Sequence, residues 1–150
     1  MKVRIIGFTG SRRGMTASQK KAVKSLLVSA QAPIPDSGFS DAPLIVALHG
    51  DCVGADEDFH NICKELEIDR QTRPCTLEKY RAHTDAVEIA EPAPPLDRNK
   101  LIVESSTIMI ATPHSFQELK RSGTWSTIRY TKFVGKYLFI VYPDGTVEAT

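Results

Sequence analysis

The chain has little cysteine, few aromatic residues, almost no net charge and no long hydrophobic run. Each shortage closes off a class of protein. Cys52, Cys63 and Cys75 are the three cysteines in 150 residues. They are odd in number and show no C-x-x-C spacing, which argues against a disulfide scaffold and for a reducing compartment. Lys and Arg number 19 against 18 Asp and Glu, a formal net charge of +1. That removes the overall electrostatic case for a DNA-coating protein, although Arg12, Arg13, Lys20, Lys21 and Lys24 gather near the N-terminus. Aromatic residues make up only 7%, few for a groove that stacks single-stranded bases. No segment approaches the length of a membrane span, and the apolar run in MKVRIIGFTG is too short for a signal peptide. A soluble, cytoplasmic protein with no membrane partner is expected. A chain of this length fits one domain, residues 1–150, with a real core.

What is present is an alternation of short apolar runs and helical patterns. Val3–Phe8 reads as a mostly buried strand. Thr16–Ala30 reads as a helix, with Thr16 a plausible N-cap and Ala22, Val23, Leu26 and Leu27 at helical spacing. The segment 31–43 holds three prolines and reads as an exposed loop. Leu44–Leu48 is a continuous apolar run, suited to a strand buried on both faces. Ala55–Leu66 carries Phe59, Ile62, Cys63 and Leu66 at helical spacing. Ile68–Arg73 reads as a short third strand, and Cys75–Pro95 as a long loop of the kind that is functional or mobile. Asp97–Glu104 predicts a helix, Ile108–Ala111 a buried strand, Pro113–Ser122 a polar loop, Thr124–Val134 a helix and Tyr137–Tyr142 a last strand.

This order predicts an α/β fold: a doubly wound, mostly parallel five-stranded sheet with helices on both faces. Such sheets bind ligands beyond the carboxyl ends of their strands, where the winding reverses. In a 3-2-1-4-5 order the reversal lies between the first and fourth strands. The loops there are Thr9–Gly14 and Thr112–Thr124.

Four motifs fall on or beside those loops. Thr9-Gly10-Ser11-Arg12 follows the first strand. Gly10 permits close backbone approach, Thr9 and Ser11 add hydroxyl donors, and Arg12 adds charge, as a phosphate at a helix start requires. The same residues also suit a tight turn without a ligand. The P-loop spacing G-x-x-x-x-G-K-[ST] is absent. His49-Gly50-Asp51-Cys52-Val53-Gly54-Ala55-Asp56 opens the second helix. Asp51 could meet a ribose hydroxyl or act as acid or base, and Asp56 could be an ordinary helix-start residue. His49 beside Cys52 invites a zinc reading, but zinc-site spacings are missing, so no metal is expected. Asp97-Arg98-Asn99-Lys100 is either a solvated cap or a guanidinium gripping a phosphate in bidentate fashion. In Ser122-Gly123-Thr124-Trp125-Ser126-Thr127, Gly123 and Thr124 suit a phosphate at a helix start, while Thr124 could equally be an N-cap and Trp125 core. Tyr80 and His83, in the long loop, either close over a ligand or are simply exposed.

Taken together and in this order, the motifs resemble the SLOG superfamily of Rossmann-like proteins. The similarity runs from about Val3 to Gly145 and is greatest to its small YspA-like branch of bacteria and phages. The superfamily also holds the LOG-type phosphoribohydrolases and the DNA-processing protein DprA. The resemblance implies a nucleotide or nucleotide-derived ligand, held by Thr9, Gly10, Ser11, Arg12, Gly50, Asp51, Arg98, Asn99, Gly123 and Thr124. In the phosphoribohydrolases an Arg before strand four and a Glu in G-G-x-G-T-x-x-E support N-glycosidic cleavage. Arg98 matches the first. At the second, Lys120 and Arg121 stand where the two glycines belong, and Thr127 where the Glu belongs. A threonine cannot ionise to take a proton from water. Among Glu118, Asp51 and Asp56, Asp51 is the first choice for a substitute carboxylate, with Arg98 as its catalytic partner.

Three functions follow as expectations. The first is a nucleotide-binding sensor or sequestering module without a cofactor. The second is a nucleoside 5′-monophosphate N-glycosidase using a non-standard carboxylate. The third, ranked last, is single-stranded DNA binding. A homo-oligomer is expected, and nucleic acid is not an expected partner.

Overall fold

The computed structural model describes residues 3–32 and 43–150. Its central strand, β1, runs Val3–Gly10, followed by helix α1 at Ala17–Gln31. Thr16 is the N-cap of α1: its hydroxyl accepts the Gln19 amide at 3.0 Å, and the Gln19 side chain accepts the Thr16 amide at 2.9 Å. This capping box satisfies two otherwise orphan donors. The buried Gln19 also donates through Nε2 to the carbonyls of Pro113, at 2.8 Å, and Val141, at 3.0 Å. The start of α1 is thereby tied to two strand ends. The expected 31–43 loop lies outside the described residues from 33 to 42, while Gln31 closes α1.

Strand β2, Leu44–His49, leads into α2, Ala55–Glu65, and then into β3, Asp69–Thr72. A single 3₁₀ turn, Glu78–Tyr80, and a two-residue strand, β4 at Val87–Glu88, interrupt the long middle segment. Helix α3 spans Pro95–Ser105, β5 Ile108–Thr112, α4 Gly123–Val134, β6 Tyr137–Val141 and β7 Val147–Ala149.

The sheet order is β4-β3-β2-β1-β5-β6-β7, parallel throughout except for the β6–β7 hairpin. The fold is therefore the doubly wound Rossmann-like α/β architecture that the alternation predicts. The strand count is seven rather than five. The two additional strands, β4 and β7, are two and three residues long and sit at the two edges. Their apolar content is too small to produce a periodic signal.

Alternation along β1 sorts its side chains between two cores. Ile6 and Phe8 join Val23, Leu27 and Phe59 on the α1/α2 side, where the Phe8 and Phe59 rings stack at 4.3 Å. On the other side Leu48, Met109 and Leu138 pack against Ile102 and Val103 of α3 and Trp125 and Ile128 of α4. Trp125 is thus core, 4% exposed, with its Nε1 donating to the Ser115 hydroxyl at 3.0 Å. β1 sits between β2 and β5, with Gly7 opposite Leu48 on one side and Met109 on the other. The winding reverses between β1 and β5, so the loops after these strands open into one crevice.

Candidate functional site

That crevice is a cavity of about 480 Å³, lined by four segments. Thr9, Gly10, Ser11 and Arg12 come from the end of β1. Gly50 comes from the end of β2, and Arg98 and Asn99 come from the first turns of α3. Gly123 and Thr124 come from the start of α4. Nine of the ten residues expected from the sequence therefore meet at one place.

Asp51 is the exception. It does not line the cavity. Its backbone takes a left-handed conformation, with φ 57°, and its carboxylate is buried against the segment that follows β3. Oδ1 accepts the Thr84 amide at 2.9 Å and the Thr84 hydroxyl at 2.7 Å. Oδ2 accepts Arg81 Nε at 3.2 Å and Nη2 at 2.9 Å. Burial raises the carboxyl's pKa, but Thr84 and Arg81 together hold it below the ordinary Asp value. The expectation that Asp51 serves the ligand is corrected on geometry: its acceptor sites are occupied, and it holds the 80–84 strap to the loop after β2.

The carboxylate in the crevice is Asp56, in the first turn of α2. It is 7% exposed and lines the cavity, and its Oδ2 accepts the Cys52 amide at 3.1 Å. Burial pushes its carboxyl up to about 6, against the opposing pull of the Arg98 charge. The signal available for it in the sequence was the same loop that contains Asp51. The strain that turns Asp51 away from the cavity left no mark there.

Arg98 is 5% exposed. Nη1 donates to the Gly50 carbonyl at 2.5 Å and to the Arg73 carbonyl at 3.4 Å, Nε to Asn99 Oδ1 at 2.8 Å, and Nη2 to Cys52 Sγ at 3.3 Å. Of the five guanidinium N–H groups, one on Nη2 remains. The bidentate phosphate grip is therefore replaced by a single donor on a fixed charge. Gly50 is required by this arrangement, because a Cβ there would lie 2.3 Å from Arg98 Nη1. Gly10 likewise makes room for neighbours, with Ala55 and Thr112 both 2.5 Å from where its Cβ would be. At Gly54 the φ of +94° itself demands glycine, and the Arg12 carbonyl packs against it.

Sequence reasoning missed further cavity residues. Arg13, Arg121 and His114 add to Arg12 and Arg98. Four arginines thus line the site against one carboxylate. Arg12 lies over the Tyr80 ring, 3.9 Å from its centroid, and Tyr80 also lines the cavity. The Tyr80 carbonyl accepts the Val53 amide at 2.8 Å, which fixes the strap at the rim. His83 is exposed and pairs with Glu78 instead. Cys52 and Cys75 also line the cavity, and burial pushes the Cys52 thiol up to about 12, so it stays neutral.

Ser122, not Thr124, caps α4. Its hydroxyl accepts the Trp125 amide at 3.2 Å and its carbonyl the Ser126 amide at 2.9 Å. The amides of Gly123 and Thr124 precede the first intrahelical donor, the Ser126 amide, and stand at the cavity wall. A Cβ on Gly123 would meet nothing within 4 Å. Thr9 and Thr124 are 8% and 6% exposed and line the cavity from opposite walls. Their hydroxyls add polar groups to the two walls.

Thr127 turns its hydroxyl to the Gly123 carbonyl, at 2.9 Å, and lies outside the cavity. Glu118 is engaged on the surface by Arg129 at 3.2 Å. Among the described residues no group of three or more His, Cys, Asp or Glu is arranged to hold a metal ion, and no helix is long and apolar enough to cross a membrane. Comparison with protein-family models and with curated proteins gives no match to this chain.

Proposed function

We propose that the crevice binds a nucleotide or nucleotide-derived phosphorylated ligand, as a sensor or sequestering module of the SLOG type. One observation carries the reading. Arg12, Arg13, Arg98 and Arg121 converge with the α4 amides on a cavity at the point where the sheet winding reverses. Oriented amides and guanidinium groups in a partly enclosed site favour a phosphate over a neutral ligand. The stacked Arg12–Tyr80 pair at the rim offers a flat surface beside the charges. The volume falls within the range of sites that enclose a small molecule.

A second reading is favoured by Asp56. A carboxyl held at about 6 in a buried site is suited to give a proton to a leaving base and take one from water. It would replace Asp51 as the carboxylate of an N-glycosidase, with the Arg98 charge beside it. Both readings separate in one experiment. The pure protein is incubated with ribo- and deoxyribonucleoside monophosphates, ADP-ribose and cyclic nucleotides, and the mixture is chromatographed. A nucleotide retained by the protein and recovered intact supports the binding module. Free base supports the glycosidase. Retention of none, with all recovered intact, overturns both.

A further inference from the structure

We propose that Asp56 reads the sugar of the bound nucleotide, so that the crevice takes a ribonucleotide in preference to its 2′-deoxy counterpart. The inference rests on the nucleotide reading and adds to it the identity of the sugar.

Charge is sorted inside the cavity. The cationic side chains from the β1 loop and the β5–α4 loop, Arg12 and Arg121 among them, stand on its two walls. Among the described residues the only carboxylate in the lining is Asp56, at the start of α2. Arg98 stands beside Asp56, but four of its five N–H groups are taken by Gly50, Arg73, Asn99 and Cys52, so the walls and not Asp56 draw a phosphate. The part of the ligand that reaches Asp56 is therefore neutral and able to donate hydrogen bonds.

The second step is acceptor capacity. A carboxylate offers about four acceptor sites. In Asp56 the Cys52 amide, at 3.1 Å from Oδ2, takes up part of that capacity. The residue is 7% exposed and borders the cavity. Adjacent hydroxyls of a ribose are donors at the spacing a carboxylate accepts, as in dinucleotide folds where an acidic residue meets the ribose. Base amino groups are the competing donors. They are disfavoured here because the flat Arg12–Tyr80 surface is at the rim, where a base can stack.

The neighbouring carboxylates are already engaged. Asp51 is saturated by Arg81 and Thr84, and Glu118 pairs with Arg129 outside the cavity. Removing one sugar hydroxyl would leave Asp56 with an unfilled acceptor in a site closed to much of the solvent. Sites built to bond a hydroxyl reject the analogue without it for this reason.

The test is titration calorimetry of the full chain with AMP, GMP, CMP and UMP, each beside its 2′-deoxy form, on the wild type and on Asp56→Asn. The expected result is that the best ribonucleotide binds roughly ten- to a hundredfold more tightly than its deoxy form, and that Asp56→Asn removes most of that gap. Equal affinity for the two sugars in the wild type overturns the inference while leaving nucleotide binding intact. Discrimination that persists undiminished in a folded Asp56→Asn also overturns it. Failure of every nucleotide to bind overturns the nucleotide reading itself. The wild-type comparison decides the question even if the variant does not fold.

Discussion

The Arg81 guanidinium holds one carboxylate oxygen of Asp51 through both Nε, at 3.2 Å, and Nη2, at 2.9 Å. The two residues are 30 apart in the chain. The pair is accompanied by the Ala82 amide on the Asp51 carbonyl at 2.8 Å and by the Thr84 contacts on Oδ1. A strap that would otherwise be a free loop is thereby fastened across the end of β2. Tyr80, immediately before Arg81, is held at the crevice rim.

Asp51→Asn is expected to behave as a structural lesion. Asp51 is 2% exposed, and its charge is met by Arg81. Losing a charge-assisted, buried pair should lower stability by about 2–3 kcal/mol, read as a shift in the urea midpoint. AMP affinity of the folded variant should stay within a small factor of wild type. Unchanged stability with lost binding would return Asp51 to the ligand site.

Two glycines give opposite outcomes. Gly50→Ala forces a methyl against Arg98 and should cost about 1–3 kcal/mol of stability. Gly123→Ala has open space and sits in the first turn of α4, so stability should be unchanged or raised by about 0.5 kcal/mol. Its methyl lies at the cavity wall, so AMP affinity should fall. Thermal melts and titrations on the same two proteins check both halves.

Asp56 makes stability depend on pH in a definite direction. Its folded pKa of about 6 is above the ordinary 3.8. Between those values the folded state binds more protons than the unfolded state, so this group's contribution falls as pH rises and levels off above about 6. Asp56→Asn removes the term. The stability of the variant relative to wild type should therefore improve by up to about 3 kcal/mol across that window. Denaturant curves at a series of pH values measure it, and a pH-independent difference would contradict the assignment.

His49 acts with the opposite sign. Its Nδ1 accepts the Asp51 amide at 2.9 Å, so its proton is on Nε2, facing His60 Nδ1 at 3.2 Å. His60 then carries its proton on Nε2, toward Asp85 Oδ1 at 2.5 Å. Burial, with His60 nearby, lowers the His49 pKa from 6.5 to about 3. The unfolded state binds more protons in that interval, so stability should fall as pH drops from 6.5 toward 3. His49→Gln should flatten this slope. Nitrogen NMR of the imidazoles should find both His49 and His60 protonated on Nε2 near neutral pH.

Much of the architecture was legible because it is local. The N-cap at Thr16, the apolar run of β2 and the spacing of Phe59, Ile62 and Cys63 are each set by local features of a single element. The two small polar loops could be placed at one crevice from strand order alone. The edge strands β4 and β7 could not, because two or three residues gain their pairing from a neighbouring strand rather than from their own pattern.

The choice between Asp51 and Asp56 belongs to the tertiary structure. They are five residues apart, one in the loop after β2 and one in the first turn of α2, and both are carboxylates. The left-handed turn at Asp51 and an arginine 30 residues away direct one outward, while helix α2 directs the other into the cavity. Arg98 was legible as a site residue, but not its engagement by Gly50, Arg73 and Cys52, which come from the ends of β2 and β3. The sequence by itself determined the elements, their order and the loops that meet. Only the folded chain decided which acceptors and donors in those loops are used up internally and which remain for a ligand, because hydrogen bonds between distant segments depend on three-dimensional register and not on local periodicity.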